Sequence, residues 1–120
     1  MLSRRSLQHV DIINRLKEVL PLYKIIEEFC IGDKQYLDIY IPRLCSGIEV
    51  NGKQHYCFSK FLHGTYDMFE VSKFLDRKKA MKCLELGIGL YVVKYDDMFD
   101  VINFIDFATN HLNKLGGYNG

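Results

Sequence analysis

Hydrophobic residues recur every three or four positions in three parts of the chain, which is the spacing of an amphipathic helix. The first part follows Ser6, a suitable N-cap, and ends before Pro21, which cannot continue a helix. Gly87 stands where the second helix needs a C-cap, and Asp96 and Asp97 stand at the start of the last. The pattern therefore predicts helices over residues 6–20, 70–86 and 98–115.

Alternating or β-branched residues predict four strands, over residues 23–31, 36–42, 47–51 and 88–95. Short connections join the first three strands, which favours an antiparallel meander. The fourth strand follows a long helix, and such a crossover favours parallel pairing with one of the meander strands. The fold class expected is α/β with the order αβββαβα, a mixed central sheet flanked by helices in a single domain over residues 1–120.

Two of these strands carry acidic residues between their aliphatic ones. Leu37, Ile39 and Ile41 are expected on one face of the 36–42 strand, with Asp38 on the other. Glu49 alternates in the same way with the aliphatic residues of the 47–51 strand, so the two carboxylates are expected side by side. Like charges that close repel unless a cation lies between them, and hard oxygen ligands suit Mg2+. The alternative is an amphipathic hairpin with solvent-facing carboxylates.

The residues that follow carry a family resemblance. Asp38, then the run EVNGKQH from Glu49 to His55, resembles the core of the PD-(D/E)xK, or restriction-endonuclease-like, nucleases. It is most similar to small phage and bacterial members related to very-short-patch repair endonucleases. A second run, D-x-x-K-x-x-x-C-x-x-x-G-I from Asp76 to Ile88, is also similar to the small phage nucleases. The resemblance covers roughly residues 6–100 and implies their core topology.

The resemblance also implies roles for individual residues. Asp38, Glu49 and the Val50 backbone carbonyl would bind Mg2+, with Mn2+ as a substitute. Asn51 departs from the family pattern, because a lysine is usual there. In the narrower group the glutamine of the Q-H pair takes part of that role. Gln54 and His55 are the further catalytic candidates, and Lys53 and Lys79 are candidates for phosphate contact, with a plain helix-surface lysine as the alternative for Lys79. The first helix of the resembling nucleases often adds an acidic ligand, which would be Asp11 or Glu18 here unless both are plain surface carboxylates.

Composition narrows the class of protein. The 120 residues are 48% hydrophobic and 26% charged, as in an ordinary globular domain, and no apolar run approaches the length of a membrane span. The four cysteines form no C-x-x-C pair, which favours reduced thiols in a cytoplasmic protein. Zinc-ligand residue types occur at His55, Cys57, His63 and Cys83, but their spacing matches no common structural zinc site.

The function predicted is that of a Mg2+-dependent endodeoxyribonuclease that acts on nicked, branched or otherwise structured DNA, with a homodimer as one arrangement. Net charge is only +1, but basic residues crowd between Lys73 and Lys82. Such a cluster either contacts phosphates or forms the solvated face of a helix, and the second is the commoner case. Two alternatives stay open. One is a noncatalytic nucleic-acid-binding module, for which Asn51 is the argument, and the other is an RNA-cleaving enzyme with the same site.

Overall fold

A computed structural model describes residues 7–51, 66–94 and 97–116, with side chains from Leu75 onward in the second helix. Its elements, in chain order, are α1 (Leu7–Val19), β1 (Ile26–Gly32), β2 (Gln35–Ile41), a 3-10 turn (Pro42–Leu44), β3 (Ser46–Asn51), α2 (Tyr66–Leu86), β4 (Gly89–Lys94) and α3 (Val101–Leu115). Among the described residues, no helix is both long and apolar enough to cross a membrane.

The strands form one mixed sheet in the order β1-β2-β3-β4. The first three are an antiparallel meander, and β4 lies parallel to β3 after the α2 crossover. The predicted α/β class, the meander and the parallel pairing are thereby confirmed.

Helices cover both faces of the sheet. On one face, α1 and α3 bury a core that includes Ile12, Leu16, Ile39, Ile48 and Phe104. On the other face, Cys83 of α2 packs with Ile31, Leu37 and Ile88. The sheet is therefore the middle of three layers. This agrees with the hydrophobic sequence of β4, because a strand covered on both faces is usually apolar throughout.

The predicted face of Leu37 is wrong. Leu37 packs against α2, whereas Ile39 and Ile41 belong to the core under α1 and α3. Glu28 of β1 and Asp38 of β2 lie opposite each other but are not paired, although the positions on either side of them are. Glu28 has a left-handed backbone conformation, with a φ of 50°. Strict alternation assumes a regular pleat, and here the pleat is interrupted at Asp38.

Gly47 makes room for this change of face. A Cβ at Gly47 would lie 2.6 Å from Leu37 Cδ1 and 3.0 Å from the Ile39 backbone oxygen. Only glycine leaves the space that the Leu37 side chain fills, so the irregular pleat depends on the residue across the strand pair.

Three predicted boundaries are also wrong. The strand expected from residue 23 begins at Ile26, and α2 begins at Tyr66 rather than at residue 70. The last helix begins at Val101, not at residue 98, because Asp100 is its N-cap: Asp100 Oδ1 accepts from the backbone N–H groups of Ile102 and Asn103 at 3.0 and 3.1 Å. Phe99, just before the cap, is buried in the core.

Candidate functional site

Asp38 and Glu49 lie where β2 and β3 stop pairing. The last regular pair is Ile39 with Ile48, and the same register places Asp38 opposite Glu49. β3 nevertheless continues alongside β4, with Glu49 opposite Val92 and Asn51 opposite Lys94. The two carboxylates thus stand at a fork in the sheet, where backbone groups are released from strand pairing.

Each carboxylate accepts a hydrogen bond from the backbone of the other strand. Asp38 Oδ2 accepts from the Val50 N–H at 2.7 Å, and Glu49 Oε1 accepts from the Asp38 N–H at 3.2 Å. These bonds satisfy N–H groups that the strand pairing leaves and hold both carboxylates in defined positions. Asp38 Oδ1 takes no part in them.

Lys79 reaches the two carboxylates from α2, the helix that covers this face of the sheet. Its Nζ lies 2.5 Å from Glu49 Oε2, and only 21% of the lysine side chain and 12% of the glutamate side chain are exposed. Asp76, Lys79 and Cys83 follow at helical spacing on the side of α2 that is less exposed than its neighbours. This face of α2 therefore completes the site that β2 and β3 begin.

Burial and charge act together on Glu49. Burial raises the pKa of Glu49, and the nearby negative charge of Asp38 raises it further, while Lys79 and the Asp38 N–H act in the opposite direction. Burial likewise raises the pKa of the Cys83 thiol, and the charge of Glu49 adds to that effect. The ionised form of Glu49 is thus disfavoured first by burial and then by Asp38, even with Lys79 in place.

An open pocket adjoins the ion pair between α2 and the β3–β4 edge. Its lining consists of Glu49, Asn51, Asp76, Lys79, Ala80, Leu90 and Val92. Asn51, at the position where the nuclease pattern usually has lysine, and Lys79 both line this pocket. The positive charge beside Glu49 therefore comes from Lys79 on α2. The alternation of residues along β2 and β3 does not identify this side chain.

The remaining predicted site residues fall into two groups. Lys53, Gln54 and His55 lie outside the described residues. The same is true of Cys57 and His63, which the sequence offers as zinc-ligand types. Val50 is described: its N–H bonds Asp38 and its side chain packs against the core.

Neither acidic candidate of α1 joins the described site. Asp11 pairs instead with Arg15, at 2.8 Å, and both Asp11 and Glu18 are exposed. In the described part of the chain, no group of three or more His, Cys, Asp and Glu side chains is placed to hold a metal ion.

Two features of the site were missed at the sequence level. The D-x-x-K run predicts no role for its Asp76, although Asp76 lines the pocket. The contact of Lys79 with Glu49 was not predicted either. The available signal was the spacing of Asp76, Lys79 and Cys83, which marks one helix face and sets both polar residues beside a buried thiol.

Comparison with known proteins finds viral relatives. No family model matches the chain, and no solved structure matches it. The chain is similar to uncharacterized protein 033L of Invertebrate iridescent virus 3, with 34% identity over 85 residues, which is 71% of this chain and 43% of that protein. It is also similar to uncharacterized protein 307L of Invertebrate iridescent virus 6, with 31% identity over 83 residues, 69% of this chain and 40% of that protein. The chain thus spans less than half the length of these curated relatives.

Proposed function

We propose that this chain is a metal-dependent nuclease domain that hydrolyses phosphodiester bonds in DNA. The observation that carries the proposal is the fork between β2 and β3, where Asp38 and Glu49 are held side by side and Lys79 reaches Glu49. Paired carboxylates beside an ammonium group and an open pocket are the groups that phosphodiester hydrolysis needs.

The donor set fits Mg2+ or Mn2+. Asp38, Glu49 and the Val50 backbone carbonyl would hold the ion, and all three supply the hard oxygen atoms that these cations prefer. The raised pKa of Glu49 agrees with this assignment, because burial and Asp38 leave the carboxylate short of positive charge. Such an ion would lower the pKa of a bound water molecule and neutralise charge on the scissile phosphate.

Groups of the protein itself would position the two carboxylates and neutralise negative charge on the phosphate. The Val50 and Asp38 N–H groups fix the orientation of the carboxylates. Lys79 supplies near the site the positive charge that Asn51 lacks, and is placed to contact a phosphate that enters the pocket. Gln54 would orient the attacking water or a nonbridging oxygen, and His55 would donate to the phosphate or hold Gln54 in place. Lys53 would add positive charge near the phosphate.

The proposal includes a restriction-endonuclease-like core. The described residues form a helix, three strands, a helix, a strand and a helix in that order, which agrees with the αβββαβα core of those nucleases. DNA is preferred as substrate on the family resemblance, and nicked or branched DNA is the first form to test. Because the relatives are viral proteins, the proposed place of action is an infected host cell. A homodimer of the domain would allow two cuts.

The binding-module alternative rests on Asn51, and Lys79 weakens it. An ammonium group offsets the repulsion of a buried acidic pair in either kind of site. Lys79 nevertheless supplies the positive charge whose absence at Asn51 is the argument for a noncatalytic module. RNA cleavage uses the same chemistry, so the substrate test includes RNA.

The test is a cleavage assay with purified protein. Supercoiled, branched and single-stranded DNA and RNA are incubated with Mg2+, Mn2+ or EDTA, and products are separated by electrophoresis. We expect metal-dependent cleavage of DNA that falls at least about a hundredfold in Glu49→Gln and in Asp38→Asn, the size of loss seen when one electrostatic stabiliser is removed.

Glu85→Gln is the matched control, because Glu85 lies on α2 with its side chain 74% exposed and contacts Lys82 rather than the site. Circular dichroism of each variant checks that the fold is kept. Cleavage that survives Glu49→Gln, or that persists in EDTA, contradicts the proposal. Tight DNA binding without products in any metal supports the binding module instead.

A further inference from the structure

Lys79 and a divalent cation require the same carboxylate. In this structure Glu49 Oε2 accepts the Lys79 ammonium at 2.5 Å, while Glu49 Oε1 accepts the Asp38 N–H at 3.2 Å. Both oxygens of the proposed metal ligand are thus engaged by the protein itself. A small cation that binds carboxylate oxygen directly at about 2 Å competes with an ammonium group already on that oxygen.

Charge favours exchange over simultaneous binding. Asp38, Glu49 and Lys79 together leave one uncompensated negative charge, which a divalent cation would reverse to a positive charge if Lys79 stayed. If Lys79 leaves Glu49, the divalent cation and the two carboxylates balance. Because the pair is mostly shielded from solvent, this difference is weakly screened by salt.

The freed ammonium has a place to go. Lys79 lines the open pocket together with Asn51 and Asp76, and Asp76 lies one helical turn away on the same face of α2. The flexible lysine stem allows the ammonium to swing into this pocket without movement of the helix.

We propose that Lys79 is an exchangeable counter-ion of Glu49, which leaves the carboxylate when a divalent cation binds and is thereby released to hold a substrate phosphate. The inference rests on the proposed function, because it takes Glu49 as a ligand of the cation. It adds a coupling: binding of the cation and binding of a nucleic-acid phosphate support each other through one side chain.

The test measures the chemical reactivity of Lys79. The wild-type chain is treated with a trace amount of acetic anhydride, with and without Mg2+ or Mn2+, and acetylation of each lysine is quantified by mass spectrometry. We expect Mg2+ to raise the acetylation of Lys79 about two- to fivefold, the range that corresponds to the loss of one ion pair. Lys78, the exposed neighbour on α2, is the internal control and is expected to stay unchanged.

A variant and a binding measurement separate the outcomes. In Glu49→Gln, Lys79 is expected to be reactive without Mg2+ and insensitive to it. Calorimetry measures cation binding to the wild type, to Lys79→Met and to Lys78→Met; we expect the affinity for Mg2+ to rise about two- to fivefold in Lys79→Met only.

The two proposals fail in different ways. If calorimetry shows that Mg2+ binds while the acetylation of Lys79 stays constant, the exchange is wrong and the nuclease proposal stands. If neither Mg2+ nor Mn2+ binds, the metal-dependent nuclease proposal fails and the exchange fails with it. An equal rise at Lys78 and Lys79 also contradicts the exchange, because it indicates a general loosening of α2.

Discussion

At the scale of single residues, Glu49 is the group on which most forces converge. Burial and the charge of Asp38 raise its pKa, and Lys79 opposes them. The folded-state pKa therefore lies above that of an unfolded chain. Between those two values the native state binds more protons than the unfolded state, so the free energy of unfolding falls as pH rises through this range.

Glu49→Gln removes this dependence. As pH rises from about 4 to about 7, we expect the wild type to lose stability relative to Glu49→Gln, because only the wild type must ionise a buried carboxyl beside Asp38. Urea denaturation at several pH values, in EDTA and at constant salt, measures the difference. The exposed-site variant Glu85→Gln is expected to follow the wild type. A wild type that gains stability over Glu49→Gln with rising pH would show that Lys79 outweighs burial.

At the scale of elements, the last helix shows what local sequence signals decide. Its periodic apolar residues place the helix correctly, but the start depends on which aspartate accepts the first N–H groups. Asp100 does so, and Phe99 before it is drawn into the core. Asp97 is one of several plausible caps by residue type, so the pattern alone leaves the start uncertain by a few residues.

The cap gives a prediction about stability. Asp100→Ala removes the acceptor for the N–H groups of Ile102 and Asn103, and we expect a loss of about 1 kcal/mol in the free energy of unfolding. Asp100→Asn keeps a capping oxygen and is expected to lose much less. Thermal and chemical denaturation measure both. Equal losses in the two variants would mean that the charge of Asp100 matters rather than its capping bonds.

The fork in the sheet marks the limit of sequence reasoning about elements. Strand identity and the acidic positions follow from alternation, since residues two apart share a face in any regular strand. The face of Leu37 does not follow, because it depends on the gap at Gly47 in a different strand and on the interrupted pairing at Glu28. Such dependence on a neighbouring strand is invisible in a pattern read along one strand.

At the scale of the whole molecule, the side chains that the structure describes form a larger core under α1 and α3 and a smaller one under the part of α2 from Leu75 onward. The larger core contains Phe104, whose ring packs edge to face against Tyr91 at a centroid distance of 5.4 Å. The site lies on the side of the smaller core. We therefore expect the layer under α1 and α3, which is not used for the proposed chemistry, to contribute several kcal/mol to the stability of the chain.

Phe104→Ala tests this division. Phe104 is completely buried, so we expect a loss of about 3–5 kcal/mol in the free energy of unfolding. Ile102→Ala, on the same helix but 64% exposed, is the matched control and is expected to change it by no more than about 0.5 kcal/mol. Urea denaturation provides the values, with Phe104→Leu as the milder variant if Phe104→Ala does not fold. A small effect of Phe104→Ala would show that α3 is only loosely attached.

The sequence by itself determined the α/β class, the meander, the parallel crossover and the acidic positions on adjacent strands, because each follows from periodicity and connection length along the chain. Tertiary structure decided that Lys79 meets Glu49, that Asp76 and Asn51 share a pocket with them, and that Leu37 turns toward α2. The contact between Lys79 and Glu49 joins residues 30 positions apart in separate layers. Its formation depends on how a helix packs on a sheet, and packing is decided by the shapes of both surfaces together.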